Sequence, residues 1–375
     1  MRLPRPFRAA ALAAAMLASL PVFGESAAPA HYRIVGYTVG RNPVQDKDIG
    51  KIDTLIFAFA RPKDGRVVLD DAAARRLRQV VALKAAHPRL KVDISVGGWG
   101  VGGFSEAAGT AAGRQAFADS AAQLVAANGA DGLDVDWEYP GHHESGIRSS
   151  PADRADFTLL LQAVRASLDR VGAAHGRTGA NHYTLSIAAA DGPFVDGIDI
   201  AAVAPLLDWF NLMTYDFVNA MTPTTGHHTG LHASALIAGD GRTTDRAVAQ
   251  FLAAGVPPRK LVIGVAFYGR EFDGVEPAHD GLYQRYTHFT GMRPWPRLKA
   301  DYIGKHGYVR HWDAQAQAPW LWNAQTRHFV SYDDPQSIAA KAAFVKAKRL
   351  GGIMYWEQGL DPGDELLDAI WNDLR

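Results

Sequence analysis

Asp134, Asp136 and Glu138 stand two residues apart in the run Asp131-Gly132-Leu133-Asp134-Val135-Asp136-Trp137-Glu138-Tyr139-Pro140. Side chains alternate between the faces of a β-strand, so the three acids share one face and Leu133, Val135 and Trp137 the other. Carboxylates stacked about 6–7 Å apart, twice the strand rise, cannot all be charged cheaply where water is scarce. At least one proton should therefore be held among them, titrating as a property of the set. A carboxyl that keeps its proton near neutral pH is a general acid, and Glu138, last in the ladder, is the candidate. An acidic patch on an exposed strand is the bland alternative, and the flanking Trp137 and Pro140 speak against it. His142 and His143 could join the acids around a divalent ion. Adjacent loop histidines point in different directions, however, and the acids are strung along one line, so neither metal nor cofactor is expected.

Such a ladder needs a strand with a secluded face. Apolar β-rich runs recur at 33–39, 54–60, 91–97, 132–138, 183–190, 209–216, 261–268 and 352–356. Several are nearly continuous, as in parallel strands covered by helices. Helical patterns lie between them. Phe117, Ala121, Leu124 and Val125 share one face, as do Phe157, Leu160, Leu161, Val164 and Leu168. Asp70 is placed to cap a helix carrying Leu77, Val80 and Val81, and Ser150 with Pro151 to open another. A last helix is expected over 364–374. Eight strands in βα alternation predict a TIM (β/α)₈ barrel, whose chemistry sits at the C-terminal ends of its strands. A doubly wound sheet is disfavoured, because no G-x-G-x-x-G follows the first strand.

One gap breaks the rhythm. Between Tyr268 and a helix beginning near Ser337 lies a stretch of about 65 residues, far beyond an ordinary βα loop. It is rich in Tyr, Trp and His and has β-like runs at 308–312, 320–322 and 328–332. Residues 270–336 are read as a small α+β insertion within a catalytic unit spanning 31–375.

The chain has 375 residues, 47% of them apolar, with 39 Lys+Arg, 39 Asp+Glu and no cysteine. That apolar fraction supports a real core, and zero net charge disfavours a dedicated nucleic-acid binder. Without cysteine there is no disulfide, thiolate nucleophile or Cys-type zinc site. At the N-terminus Arg2, Arg5 and Arg8 precede an Ala-rich apolar run and small residues, the pattern of a secretory signal peptide over about 1–30. Removing it leaves 36 basic against 38 acidic residues. A secreted or periplasmic monomer is expected, with no membrane partner after signal removal and no appended carbohydrate-binding module.

Asp131 to Glu138 resembles the D-G-x-D-x-D-W-E motif of glycoside hydrolase family 18 chitinases at every fixed position. Ser95-Val96-Gly97-Gly98-Trp99 resembles the family's third-strand motif, Met213-Thr214-Tyr215-Asp216 its sixth and Met354-Tyr355-Trp356-Glu357 its eighth. Tyr268-Gly269-Arg270 is similar to the exit into an insertion found in the subfamily with a deepened cleft. Four short motifs in the right order, each at a predicted strand end, make the resemblance specific over nearly the whole chain past residue 30.

The resemblance implies hydrolysis of β-1,4-linked N-acetylglucosamine polymers, with the substrate supplying its own nucleophile. Glu138 would protonate the bridging oxygen. Asp136 would orient the acetamide, sharing a proton with Asp134, and Tyr215 would bond the acetyl oxygen. Asp216, Met213 and Trp356 would line the same subsite, with Trp356 as its floor. Tyr37 and Ser95 would support the inner acid, Gly98 and Trp99 would border the leaving-group side, and Arg270 would contact substrate. After Asp216 the chain reads Phe217-Val218-Asn219-Ala220-Met221, where relatives often carry Gly and an aromatic, so the leaving-group contacts depart from the pattern. His227 and His228 are read as cleft rim, and Trp209-Phe210-Asn211 as strand filler. Three rivals stand beside this reading, one of them a metal-dependent barrel hydrolase. An endo-β-N-acetylglucosaminidase on N-glycans or cell-wall glycans would share the motif, whereas a chitin-binding lectin would lack the acid at position 138.

Overall fold

In the computed structural model, the described residues are Met1, 31–41, 44, 46–237 and 241–375. Apart from Met1, the expected signal segment lies outside the described residues. Eight parallel strands close on themselves: β1 (Arg33–Thr38), β2 (Thr54–Lys63), β4 (Lys91–Gly97), β5 (Gly132–Asp136), β6 (Thr184–Ala189), β7 (Trp209–Leu212), β8 (Leu261–Ala266) and β14 (Gly352–Trp356). β1 pairs with both β14 and β2, which completes the TIM (β/α)₈ barrel, and β3 (Arg66–Val68) folds back antiparallel on β2.

Alternation along the strands divides the apolar residues into two cores. Ile34, Leu55, Phe57, Leu133 and Val135 face outward and pack against helices. Val35, Ile56, Trp209, Val262 and Met354 fill the lumen. Helices Asp71–Ala82 and Pro335–Lys348 begin at Asp70 and Asp334, whose carboxylates accept the backbone N–H three residues on. The helix expected to open at Ser150-Pro151 instead runs Asp153–Ala174. Asp153 is buried and its carboxylate accepts from Ser150 N (2.8 Å), Gly141 N (3.1 Å) and Ser105 Oγ (2.7 Å), so that segment is held as a turn. Strand β7 stops at Leu212, short of the apolar run, because Thr214 Oγ1 leaves the ladder to bond both N and O of Gly264 (2.8 Å each).

A second sheet, antiparallel, is built from β9 (Tyr268–Asp273), β10 (His288–Pro294), β11 (Val309–Asp313), β12 (Ala318–Asn323) and β13 (His328–Ser331), in the order β10-β9-β13-β12-β11. It has its own core of Phe272, Val275, Leu282, Trp320, Trp322 and Phe329. One residue, Phe267, separates β9 from β8, so the sheet springs directly from the barrel's mouth. No helix among the described residues is long and apolar enough to cross a membrane.

Below the ladder, Asp93 is fully buried, with one oxygen bonded by Thr184 Oγ1 (2.8 Å) and the other without a partner. Burial pushes its pKa up to about 8 against the pull of Thr184, with Asp131, Asp134 and Asp208 adding to the rise. The folded protein therefore holds a proton that the unfolded chain loses near pH 4, and stability should fall as pH rises between those values. Asp93→Asn removes that dependence. Its melting temperature relative to wild type should climb from about pH 4 to 8 and level off above; a difference independent of pH would refute the assignment.

Candidate active site

The parallel register sets Ser95 and Ser186 level with Asp134 in the lumen. Both oxygens of Asp134 are occupied. Tyr37 Oη (2.9 Å) and Ser95 Oγ (2.8 Å) donate to Oδ2, Ser186 Oγ (2.7 Å) and Asn211 Nδ2 (3.2 Å) to Oδ1. Burial raises the Asp134 pKa, and the hydroxyl and amide donors oppose the rise. Asp136 differs: its Oδ1 is buried without a partner. Burial, then the charges of Glu138 and Asp134, hold Asp136 well above the usual carboxylate range. The shared proton implied by resemblance has no hydrogen bond to run along among the described residues, because four donors already saturate Asp134. Asp131, first acid of the motif, is elsewhere. It anchors the barrel's base through Lys84 (2.6 Å), Arg177 (3.0 Å) and Val92 N (2.9 Å).

Glu138 lies just past the end of β5 and lines a cleft of about 620 Å³ at the strands' C-terminal ends. Burial pushes its pKa up to about 7, with Asp216's charge adding and a bond from Tyr139 opposing. Glycines make room for this arrangement. A Cβ on Gly97 would fall 2.0 Å from the Asp136 carbonyl oxygen, and one on Gly98 2.9 Å from the Phe59 ring, both at positive φ.

Across the cleft Asp216 accepts from Tyr268 Oη (2.9 Å) and from Arg270 Nε (2.7 Å) and Nη2. Burial alone would raise its pKa, but His228 and Arg270 hold it well below the carboxylate range. Tyr215 is packed edge-on against Tyr268 at 6.3 Å. Trp356 lies between Phe59 (5.7 Å, nearly parallel) and Tyr37 (5.7 Å), exposing one face to the cleft. Trp99, half exposed, meets Tyr139 at 6.1 Å, and Tyr139 meets Phe194 at 5.0 Å. Tyr215, Asp136 and Glu138 thus line one cleft together with the Trp356 ring. Proton donation from Glu138 to a ligand held against the rings is the chemistry this set offers.

The cleft brings together Tyr37, Gly98, Trp99, Asp136, Glu138, Met213, Tyr215, Asp216, Arg270 and Trp356. Ser95 does not line it. Its side chain is wholly buried beneath, committed to Asp134, so it has no surface to offer a substrate. Residues 33–361 match the sequence profile of glycosyl hydrolases family 18. The chain belongs to that family. It is 39% identical to chitinase A1 of Niallia circulans over 321 residues, covering 81% of this chain and 45% of that protein. It is 34% identical to chitinase B of Serratia marcescens, covering 81% of this chain and 72% of that one. A solved family 18 N-acetylglucosaminidase from Paenibacillus barengoltzii superposes with a TM-score of 0.87 at 40% identity, covering 92% of this chain and all of that one. The chain thus spans less than half the length of the first of these relatives.

Several residues of the site escaped sequence reasoning. Asn211, read as filler, is a buried amide on the Asp134 oxygen, and a polar residue within the apolar run Trp209–Leu212 is the available signal. His228, read as rim, is fully buried, its Nδ1 3.5 Å from Asp216. His227, also read as rim, is buried against Asp313 of the second sheet at 3.2 Å. Phe59, Arg61, Phe194 and Arg242 line the cleft from segments with no motif. His142 faces Phe194 at 5.5 Å and Glu144 at 3.5 Å, outside the acid ladder. Among the described residues no three His, Asp or Glu side chains converge in a metal-binding arrangement.

Proposed function

We propose that this chain hydrolyses β-1,4-linked N-acetylglucosamine chains, chitin or its oligosaccharides, by a retaining mechanism in which the substrate's acetamide is the nucleophile. The observation that carries the reading is a carboxyl at Glu138 whose pKa is pushed up to about 7, beside an Asp136 oxygen that has no protein partner. Glu138 gives its proton to the bridging oxygen as the C1–O bond breaks. The acetamide carbonyl oxygen bonds C1, forming an oxazolinium ion. Asp136 receives the acetamide N–H and offsets the positive charge, and Tyr215 directs its hydroxyl to the acetyl oxygen. Water then attacks C1, its proton passes to the Glu138 carboxylate, and the ring opens with retained configuration. Trp356 supports the sugar ring from below.

Because Glu138 acts in its protonated form, kcat/KM should hold below about pH 7 and fall about tenfold per pH unit above it. A profile still rising at pH 9 would contradict the assignment. Side-by-side assays on chitin oligomers, N-glycopeptides and peptidoglycan test the substrate class, and preferred turnover of either of the last two would overturn it. The likeness to the N-acetylglucosaminidase over that chain's whole length supports a second reading, release of single sugars. Product analysis on chitin hexamers separates the two, since monosaccharide alone would establish the second. Export through residues 1–30 rests on the basic and apolar pattern of that segment.

A further inference from the structure

The row of rings from Trp99 through Tyr139 to Phe194 continues to a cation. The Arg242 guanidinium lies over Phe194 (5.4 Å) and over Phe217 (5.1 Å), filling the gap between them. Its Nε (2.9 Å) and Nη2 donate to one oxygen of Asp191, whose side chain is buried beneath. Nη1 makes only a long contact, 3.5 Å, with the backbone oxygen of Asp216. A guanidinium has five N–H donors in a fixed fork, so its free edge keeps donors without a protein acceptor. The side chain lines the cleft and is 23% exposed, whereas the Asp191 side chain is 4% exposed. The pair therefore turns its positive end toward the cleft and its negative end into the protein.

The charges around it do not cancel that end. Of the six ionisable Asp, Glu and Arg side chains that line the cleft, Asp216 is matched by Arg270. Burial raises the pKa of Asp136, and pushes that of Glu138 up to about 7, so both carboxyls ionise less readily than an exposed acid. The sixth, Arg61, is exposed and has no ion pair among the described residues. Arg61 and the free edge of Arg242 thus face the cleft with no carboxylate of its lining paired to them among the described residues.

We propose that Arg242 is a specificity-determining residue of the leaving-group half of the cleft, accepting an N-acetylated sugar there and rejecting one with a free amino group. The proposal rests on the function given above and names the substrate more narrowly. An acetamide carbonyl oxygen matches the free guanidinium edge. An ammonium group offers no acceptor and meets like charge in a poorly solvated place, where such a juxtaposition is costly. Neutral, acetylated chains are the substrate, and deacetylated chitosan segments are excluded from the side that departs.

The test uses chitosans of defined acetylation and reads the unit at each new non-reducing end, which was the first leaving-group sugar. Wild type should show glucosamine there at least tenfold below its abundance in the polymer. Arg242→Gln should narrow that bias to within about threefold, and Arg242→Lys should retain most of it. The Gln variant leaves a buried Asp191 without its partner, so Asp191→Asn combined with Arg242→Gln supplies a version with no buried unpaired acid, and the same narrowing is expected. Glucosamine appearing freely in wild-type products, or an undiminished bias in both Gln variants, overturns the proposal. Failure of wild type to cleave any fully acetylated oligomer would instead overturn the parent reading, and this one with it.

Discussion

Glu138→Gln is expected to lower turnover of N-acetylglucosamine oligomers by about 10³-fold or more while substrate affinity stays within about threefold. The two side chains are nearly the same shape, so the burial and the contact with Tyr139 that position Glu138 persist. What disappears is a proton with a pKa pushed up to about 7. Without it the bridging oxygen must leave as an alkoxide, and the later water must attack without a base. The loss should depend on the leaving group. An aryl glycoside, whose leaving oxygen needs no proton, should lose far less in the first bond cleavage, seen as a burst of phenol before slow turnover. Isothermal titration with chitin oligomers gives the affinity and stopped-flow release of phenol gives the burst. Retention of more than a tenth of wild-type turnover on the oligomer would remove Glu138 from its role. Loss of binding would show that the substitution had disturbed the cleft instead.

What could be read from the chain and what could not follow from the range of the forces involved. The eight strands announce themselves because each buries both faces, and the apolar runs at 91–97 and 352–356 coincide with β4 and β14 residue for residue. The ladder is equally visible, since an alternation of acids with Leu133, Val135 and Trp137 has one physical meaning on a strand. Half of its supporting shell, Tyr37 and Ser95, is reached through the family resemblance, and the other half is not visible. Ser186 and Asn211 are single polar residues, and only the closed register of β5, β6 and β7 brings them to Asp134. Arg242 is further from reach, for its partners Asp191 and Phe194 come from the loop after β6 and Phe217 from the loop after β7. His228 carries no local sign that it will be sealed behind Asp216. Strand ends were overread for a related reason. Apolar character continues past Leu212 and Asp136, while the hydrogen-bond ladder stops where Thr214 turns to Gly264 and where the backbone must expose Glu138.

Asp136→Asn should cost about 10²-fold in kcat with little change in KM, and this loss should be the same for sugar and aryl leaving groups. Asp136 Oδ1 is buried with no donor from the protein, which leaves it an acceptor to offer. An acetamide N–H from the sugar is the donor the mechanism supplies. Asparagine keeps an oxygen for that bond, which is why ground-state affinity should survive. It carries no negative charge to set against the oxazolinium ion, whereas the Asp136 carboxylate does, although burial and the charges of Glu138 and Asp134 make that charge costly until a cation lies beside it. The positive ring then faces a neutral amide in a site with little water, where an opposing charge has its greatest effect. A hundredfold loss corresponds to about 2.7 kcal/mol of transition-state stabilisation. The contrast with Glu138→Gln separates the two roles. An aryl leaving group bypasses the missing acid, but nothing in the leaving group can replace a carboxylate beneath the oxazolinium nitrogen. If the aryl substrate restored Asp136→Asn to near wild-type rates, Asp136 would belong to proton delivery and its place beside the acetamide would have to be given up.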